Sequence, residues 1–120
     1  MKLYHYSTGF PKGTSKAIER IYAALSPLVM GGVHYSERRD EKGLPSFVRA
    51  DWVRGAKLVE LQVRGDSVSR VVVRGEAGAR DLTVVIDVVE GCMVTGWYNR
   101  RGDWHRLTGE RSERYIKVRR

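Results

Sequence analysis

The feature that most constrains this chain is a change of hydrophobic period near Gly55. Before it, apolar residues recur at three- and four-residue spacing; after it, β-branched residues alternate with polar ones. Helices followed by strands predict an α+β domain, with two or three N-terminal helices packed on an antiparallel sheet of four to six strands. The 120 residues, 42% of them hydrophobic, fit a single domain with one core. Residues 1–55 form its helical part and residues 56–120 its sheet part.

Several classes are excluded at once. A second enzyme domain or a long repeat array does not fit this length. No apolar run approaches the roughly 20 residues a membrane span needs, so no membrane partner is expected. The start, Met1-Lys2-Leu3-Tyr4-His5-Tyr6, lacks the apolar core of a secretory signal. Cys92 is the only cysteine, which excludes an internal disulfide and argues against a Cys-based zinc site. A reducing cytoplasm is the expected location.

The aromatic-rich segment 1–13 ends in Gly9-Phe10-Pro11-Lys12-Gly13, after which Thr14 or Ser15 can cap a helix. Ile18, Ile21, Tyr22, Leu25 and Val29 make one apolar stripe on that helix, kinked at Pro27 and ended by Gly31-Gly32. A second helix, Val33 to Lys42, is mostly polar, has little core to bury, and closes at Gly43. A third is expected over Ser46 to Arg54. Strands follow at Leu58–Val63, Val68–Arg74, Leu82–Val89, Cys92–Asn99 and Trp104–Leu107, with an edge strand at Tyr115–Val118. Within Leu82–Val89, Leu82, Val84, Ile86 and Val88 share one face, and Thr83, Val85, Asp87 and Val89 the other. Asp87 needs a partner, for which an Arg on the neighbouring strand is expected.

Net charge is +8, from 22 Lys and Arg against 14 Asp and Glu. Sixteen of the basic residues are Arg, whose planar fork suits phosphate. Such a balance points to a polyanionic partner, RNA or DNA first and an anionic membrane surface second, or else serves solubility alone. No phosphate-binding glycine loop, metalloprotease helix motif or nucleophile elbow is present, so neither a cofactor nor a metal is expected. The chemistry then falls to a metal-free acid–base set. His34 and Arg38 lie four residues apart on one helical face, where a histidine can move a proton and an arginine can neutralise phosphate. In their ordinary roles, His34 caps or packs and Arg38 is a solvated charge.

A second cluster is Thr95-Gly96-Trp97-Tyr98-Asn99-Arg100-Arg101 with Trp104-His105-Arg106. Alternating aromatic and Arg residues on a hairpin make a platform for stacking unpaired bases while holding the backbone, with Gly96 leaving the sheet surface open beside them. Otherwise Trp97 and Trp104 are cross-strand partners in a core. Lys57, Arg64, Arg70, Arg74 and Arg80 lie in or beside strands, so some share a face. Cys92 reads as a small core residue rather than a nucleophile.

The run His34-x-x-x-Arg38-x-x-Glu41-x-Gly43-Leu44-Pro45, a short helix, and then a sheet containing Asp-Val-Val-Glu-Gly-Cys-Met-Val-Thr-Gly-Trp resembles small toxin-like domains. These form the barnase, EndoU, colicin E5 and RelE-like ribonuclease group of bacterial toxins and phage genomes. The resemblance covers about residues 33–107. It implies N-terminal helices on a four- or five-stranded antiparallel sheet and metal-independent cleavage of tRNA or mRNA. By it, His34 stands at the helix histidine, Thr95 and Tyr98 on the strand lining the cleft, and His105 as a second acid–base group. An antitoxin or immunity protein is the partner it implies. No lysine of the sheet answers to a catalytic one, and the first 30 residues have no counterpart.

Three functions are compatible with these features. The first is a metal-independent endoribonuclease using His34, Arg38, Thr95, Tyr98 and His105, with Arg74, Trp97, Arg100, Arg101, Trp104 and Arg106 holding RNA. There Arg74 joins Arg38 in stabilising the developing charge. The second is a non-catalytic nucleic-acid-binding module, and the third a protein-interaction or inhibitor domain.

Overall fold

The computed structural model describes residues 1–104 and 113–118. The α+β expectation holds. Three helices pack on a five-stranded antiparallel sheet, with a two-stranded sheet beside them. In chain order the elements are β1 (Lys2–His5), α1 (Thr14–Ala23), β2 (Leu28–Met30), α2 (Val33–Lys42), β3 (Phe47–Arg49), α3 (Ala50–Gly55), β4 (Lys57–Arg64), β5 (Ser67–Ala77), β6 (Arg80–Asp87) and β7 (Cys92–Arg100). The large sheet runs β1-β4-β5-β6-β7, so a meander of four consecutive strands carries the N-terminal strand along one side and leaves β7 at the other edge.

The helical half departs from expectation in three places. α1 stops at Ala23, because the residue before Pro27 is pushed out of the helical region and the chain leaves extended. Val29, expected on the helix stripe, is instead the centre of β2, opposite Val48 of β3. The helix expected from Ser46 therefore starts only at Ala50. Pairing between segments 19 residues apart overrides the local period there. Neither Thr14 nor Ser15 caps α1. Gly13 precedes it, and the Thr14 hydroxyl donates back to the Pro11 carbonyl at 2.6 Å.

The first thirteen residues supply β1, which pairs Lys2–His5 with Glu60–Val63. At the other end, Tyr115–Val118 forms no strand, yet the Ile116 and Val118 amides donate to the Leu3 and Thr8 carbonyls. Trp104 is likewise outside any strand, and residues 105–107 lie outside the described residues.

The alternation in the sheet separates two faces. Leu61, Val71, Val73, Leu82, Val84, Ile86 and Met93 point to the helices and are almost fully buried. Each such side chain contributes roughly 1.5–3 kcal/mol. Tyr35 of α2, Val53 of α3, Val29 and Val48 of the small sheet, and Leu44 after α2 close this layer, while Ile18, Ile21 and Tyr22 of α1 pack at its margin. The opposite face carries His5, Glu60, Gln62, Arg70, Arg74, Thr83, Asp87 and Trp97, as the strand pairing requires. Asp87 finds its expected arginine: Arg70, directly opposite, at 3.7 Å.

α2 is polar, but it is not without core. Tyr35 is 2% exposed, and its hydroxyl donates to the Pro45 carbonyl at 2.6 Å. Burial pushes its pKa up to about 12. Its ring lies against Gly31 and beside Gly96, so Gly96 is covered rather than open. A Cβ at Gly96 would stand 3.1 Å from the Thr83 carbonyl oxygen and 3.7 Å from Tyr35 Cε2. Gly43, at φ 64°, ends α2 in the left-handed conformation expected of a C-terminal cap.

Gly31→Ala places a methyl group inside the Tyr35 ring and is expected to cost about 1–3 kcal/mol by overpacking. Urea denaturation checks this, with Gly55→Ala, at a position open to solvent, as the control that loses no stability to crowding.

Candidate nucleic-acid interface

Two concavities flank β7. The first is a groove of about 220 Å³ between α2 and the β7 edge, lined by His34, Arg38 and Lys42 with Val94 and Thr95. Spacing of four residues places the three α2 side chains on one face. Tyr35, on the adjacent side of the helix, locks that face over the strand. The edge position of β7 leaves its outer backbone groups available. Gly32 N–H donates to the Met93 carbonyl at 2.9 Å, and Lys42 Nζ to the Gly96 carbonyl at 3.5 Å. Of the residues expected to act together, His34, Arg38 and Thr95 do meet. Lys42 was not singled out from the sequence, although its spacing from Arg38 was there to be read.

Within this groove the charges are solvated. The His34 side chain is 90% exposed, with its Nδ1 3.7 Å from Glu37. Arg38 is exposed and has no ion-pair partner among the described residues. Tyr98 does not join them as a proton donor. Its hydroxyl donates to the Gly43 carbonyl at 3.1 Å, and the Arg80 guanidinium lies 4.0 Å from its ring centre. Tyr98 thus ties β7 to the end of α2.

Arg74 is corrected more sharply. It is 6% exposed, and all of its nitrogens are engaged within the fold. Nε donates to Asp81 at 3.0 Å, Nη1 to the Asp103 carbonyl at 2.8 Å, and Nη2 to the Arg100 carbonyl at 3.0 Å. Its guanidinium also sits 3.9 Å from the Trp104 ring centre. Three of its five N–H donors are thus spent inside the fold, and its burial places it poorly for holding phosphate. Arg101 is partly spent too, donating to the Gly78 carbonyl with Nε 3.7 Å from Asp81. Arg100 is exposed.

The two tryptophans are not cross-strand partners. Trp97 faces Thr83 and is 42% exposed, whereas Trp104 is half-buried edge-on to Tyr6 at 5.8 Å. Only Trp97 of the pair is left available for stacking. Cys92 is half-buried and near Glu90, and burial raises its thiol pKa, as befits an unreactive cysteine. His105 and Arg106 lie outside the described residues.

The second concavity is a cleft of about 610 Å³ on the polar face of the large sheet. Sequence reasoning missed it. His5 and Glu60 stand directly opposite each other on β1 and β4. Glu60 accepts from Gln62 Nε2 at 2.7 Å and from the Tyr115 hydroxyl. Across the cleft, Thr83 donates to Asn99 Oδ1 at 2.7 Å. Burial lowers the His5 pKa, opposed by Glu60 and reinforced by Lys57. The polar alternation of Glu60 with Gln62, and of Thr83 with Asp87, was the available signal that this face is polar.

No family model, no curated protein and no solved structure matches this chain. Among the described residues no helix is long and apolar enough to cross a membrane.

Two outcomes follow. Arg74→Ala leaves the buried Asp81 carboxylate with only the looser Arg101 contact at 3.7 Å, which is expected to cost about 3 kcal/mol in urea denaturation; an arginine that only held nucleic acid would leave stability unchanged. His5, whose folded pKa lies below its ordinary 6.5, binds more protons unfolded than folded. Its contribution is therefore present above pH 6.5 and lost as pH falls toward the folded value. His5→Asn should flatten the decline of Tm across that window.

Proposed function

We propose that this protein is a metal-independent endoribonuclease of toxin type, acting on tRNA or mRNA in the groove between α2 and β7. The observation that carries this reading is that His34, Arg38 and Lys42, a titratable group and two cations, line one groove with the β7 edge at Val94 and Thr95. His34 takes the proton of the ribose 2′-hydroxyl as its oxygen attacks the adjacent phosphorus. The bond to the 5′ oxygen breaks, leaving a 2′,3′-cyclic phosphate. Arg38 and Lys42 neutralise the charge that develops on the phosphate, and Thr95 orients it. His105 is the acid this reading assigns to the leaving 5′ oxygen. A cytoplasmic location and a neutralising antitoxin or immunity protein belong to the same proposal.

A second reading, a nucleic-acid-binding module without catalysis, is favoured by one observation. His34 is almost fully solvated, with only Glu37 among the described residues near enough to orient it. A third, a domain that binds protein alone, has only the surface charge to recommend it.

Incubation with total RNA and tRNA in excess EDTA tests all three. Cleavage to cyclic phosphate ends is expected, falling about 10²–10⁴-fold in His34→Ala. Loss of cleavage in Arg38→Ala should come with a shallower dependence of RNA binding on salt. Intact RNA with steeply salt-dependent binding would replace the enzyme by the binding module. No affinity above nonspecific levels would leave the protein-binding domain.

A further inference from the structure

The sheet-face cleft differs in chemistry from the α2 groove, and that difference indicates what it holds. It lies within the range of cavities that enclose small ligands, roughly 300–1,000 Å³. Three polar side chains that line it are more than nine-tenths buried: His5 and Arg74 at 6% exposure and Thr83 at 3%. Buried polar groups of this kind are normally fully paired, so unspent hydrogen-bonding capacity on them is informative.

His5 Nδ1 accepts from the Ser7 amide at 3.1 Å and lies 2.7 Å from the Ser7 hydroxyl. With Nδ1 an acceptor and the ring held neutral by burial, the proton resides on Nε2. That Nε2–H has no partner among the described residues, and no buried polar side-chain atom there is sealed off without one, so Nε2 is open to the cleft. Asn99 spends its carbonyl on Thr83 and keeps its amide hydrogens. Gln62 spends its amide on Glu60 and keeps its carbonyl. The cleft therefore presents donors on His5 and Asn99 and an acceptor on Gln62.

Phosphate is a poor match for this set. The nitrogens of Arg74 are engaged within the fold, and Glu60 places a carboxylate on the cleft wall to set against the charge of Arg114, the other arginine among its lining residues. What fits is a neutral planar ring with alternating donors and acceptors along its edge, stacked on an aromatic face. Trp97, exposed at the cleft rim, supplies that face.

We propose that the sheet-face cleft is a nucleobase-binding site, with Trp97 stacking the ring and His5, Asn99 and Gln62 reading its edge. This proposal stands on the cleft and does not depend on cleavage at His34. Trp97 follows Thr95 by two residues on β7, a strand distance of roughly 7 Å, so the base site adjoins the cationic groove.

The test is an NMR titration of the full chain with adenosine, guanosine, cytidine and uridine, with ribose 5-phosphate as the base-free control. At least one nucleoside is expected to give saturable shifts at the Thr83, Trp97 and Asn99 amides. Trp97→Ala should weaken that binding about tenfold. Thr83→Val, which removes the hydroxyl that orients Asn99 while keeping the side-chain shape, should weaken it as well. His34→Ala should leave it unchanged, so failure of the cleavage reading and failure of this one are distinguishable. No saturable shift with any nucleoside would overturn the proposal. Binding unaltered in Trp97→Ala, or ribose 5-phosphate competing as well as the nucleoside, would do so too. Displacement of the nucleoside by a tetraribonucleotide would mean that the cleft takes a base within a chain, and its absence that it takes free nucleosides; either supports a base site.

Discussion

The seat of Tyr35 between Gly31 and Gly96 is the contact on which the rest of the arrangement depends. A ten-residue helix as polar as α2 has almost nothing else to bury, so its place on the sheet is set by one ring and one hydroxyl. Gly31 is required because the ring occupies the space a side chain would need, whereas a side chain at Gly96 would first crowd the Thr83 carbonyl of β6. With Tyr35 seated, the face bearing His34, Arg38 and Lys42 is held over β7, and a helix with little intrinsic preference for any position becomes one wall of a groove.

Arg74 plays the corresponding part on the opposite face. Its buried pairing with Asp81 and its bonds to the Arg100 and Asp103 carbonyls hold the turn after β7 against β5. A buried guanidinium is tolerated only when its donors are satisfied, and that same satisfaction removes it from service as a ligand for phosphate. Arg70 repeats the pattern more loosely with Asp87. Two arginines on the polar sheet face are thus offset by carboxylates from β6, and the cleft beside them is closer to neutral than the charge of the chain suggests. Arg38 and Lys42, without an ion-pair partner among the described residues, lie instead on α2. The two proposed sites are accordingly separated across β7.

Much of the fold was legible in advance. The alternation of Leu82–Asp87 and the cap at Gly43 are local signals, and each appears where the residues indicate, whereas the strand expected to reach Val89 ends at Asp87 and the turn starts two residues early, at Val88. The pairing of β2 with β3 was not legible, because three-residue strands leave too short a pattern to outweigh a neighbouring helical period. Of the candidate site, the His34–Arg38 pair could be read from spacing on one helix. The cleft could not, because its residues come from β1, β4, β5, β6, β7 and the segment at Tyr115.

The sequence alone determined the fold class, the polar helix at Val33–Lys42, the strand meander and a basic surface, since each follows from periodicity or composition over neighbouring residues. Only the tertiary structure decided that Arg74 is internal, that Gly96 lies under Tyr35, and that His5 faces Glu60 from the far end of the chain. The reason is physical. Which polar groups satisfy one another depends on strands and helices brought together from distant parts of the chain, and nothing in a residue's own neighbourhood records that choice.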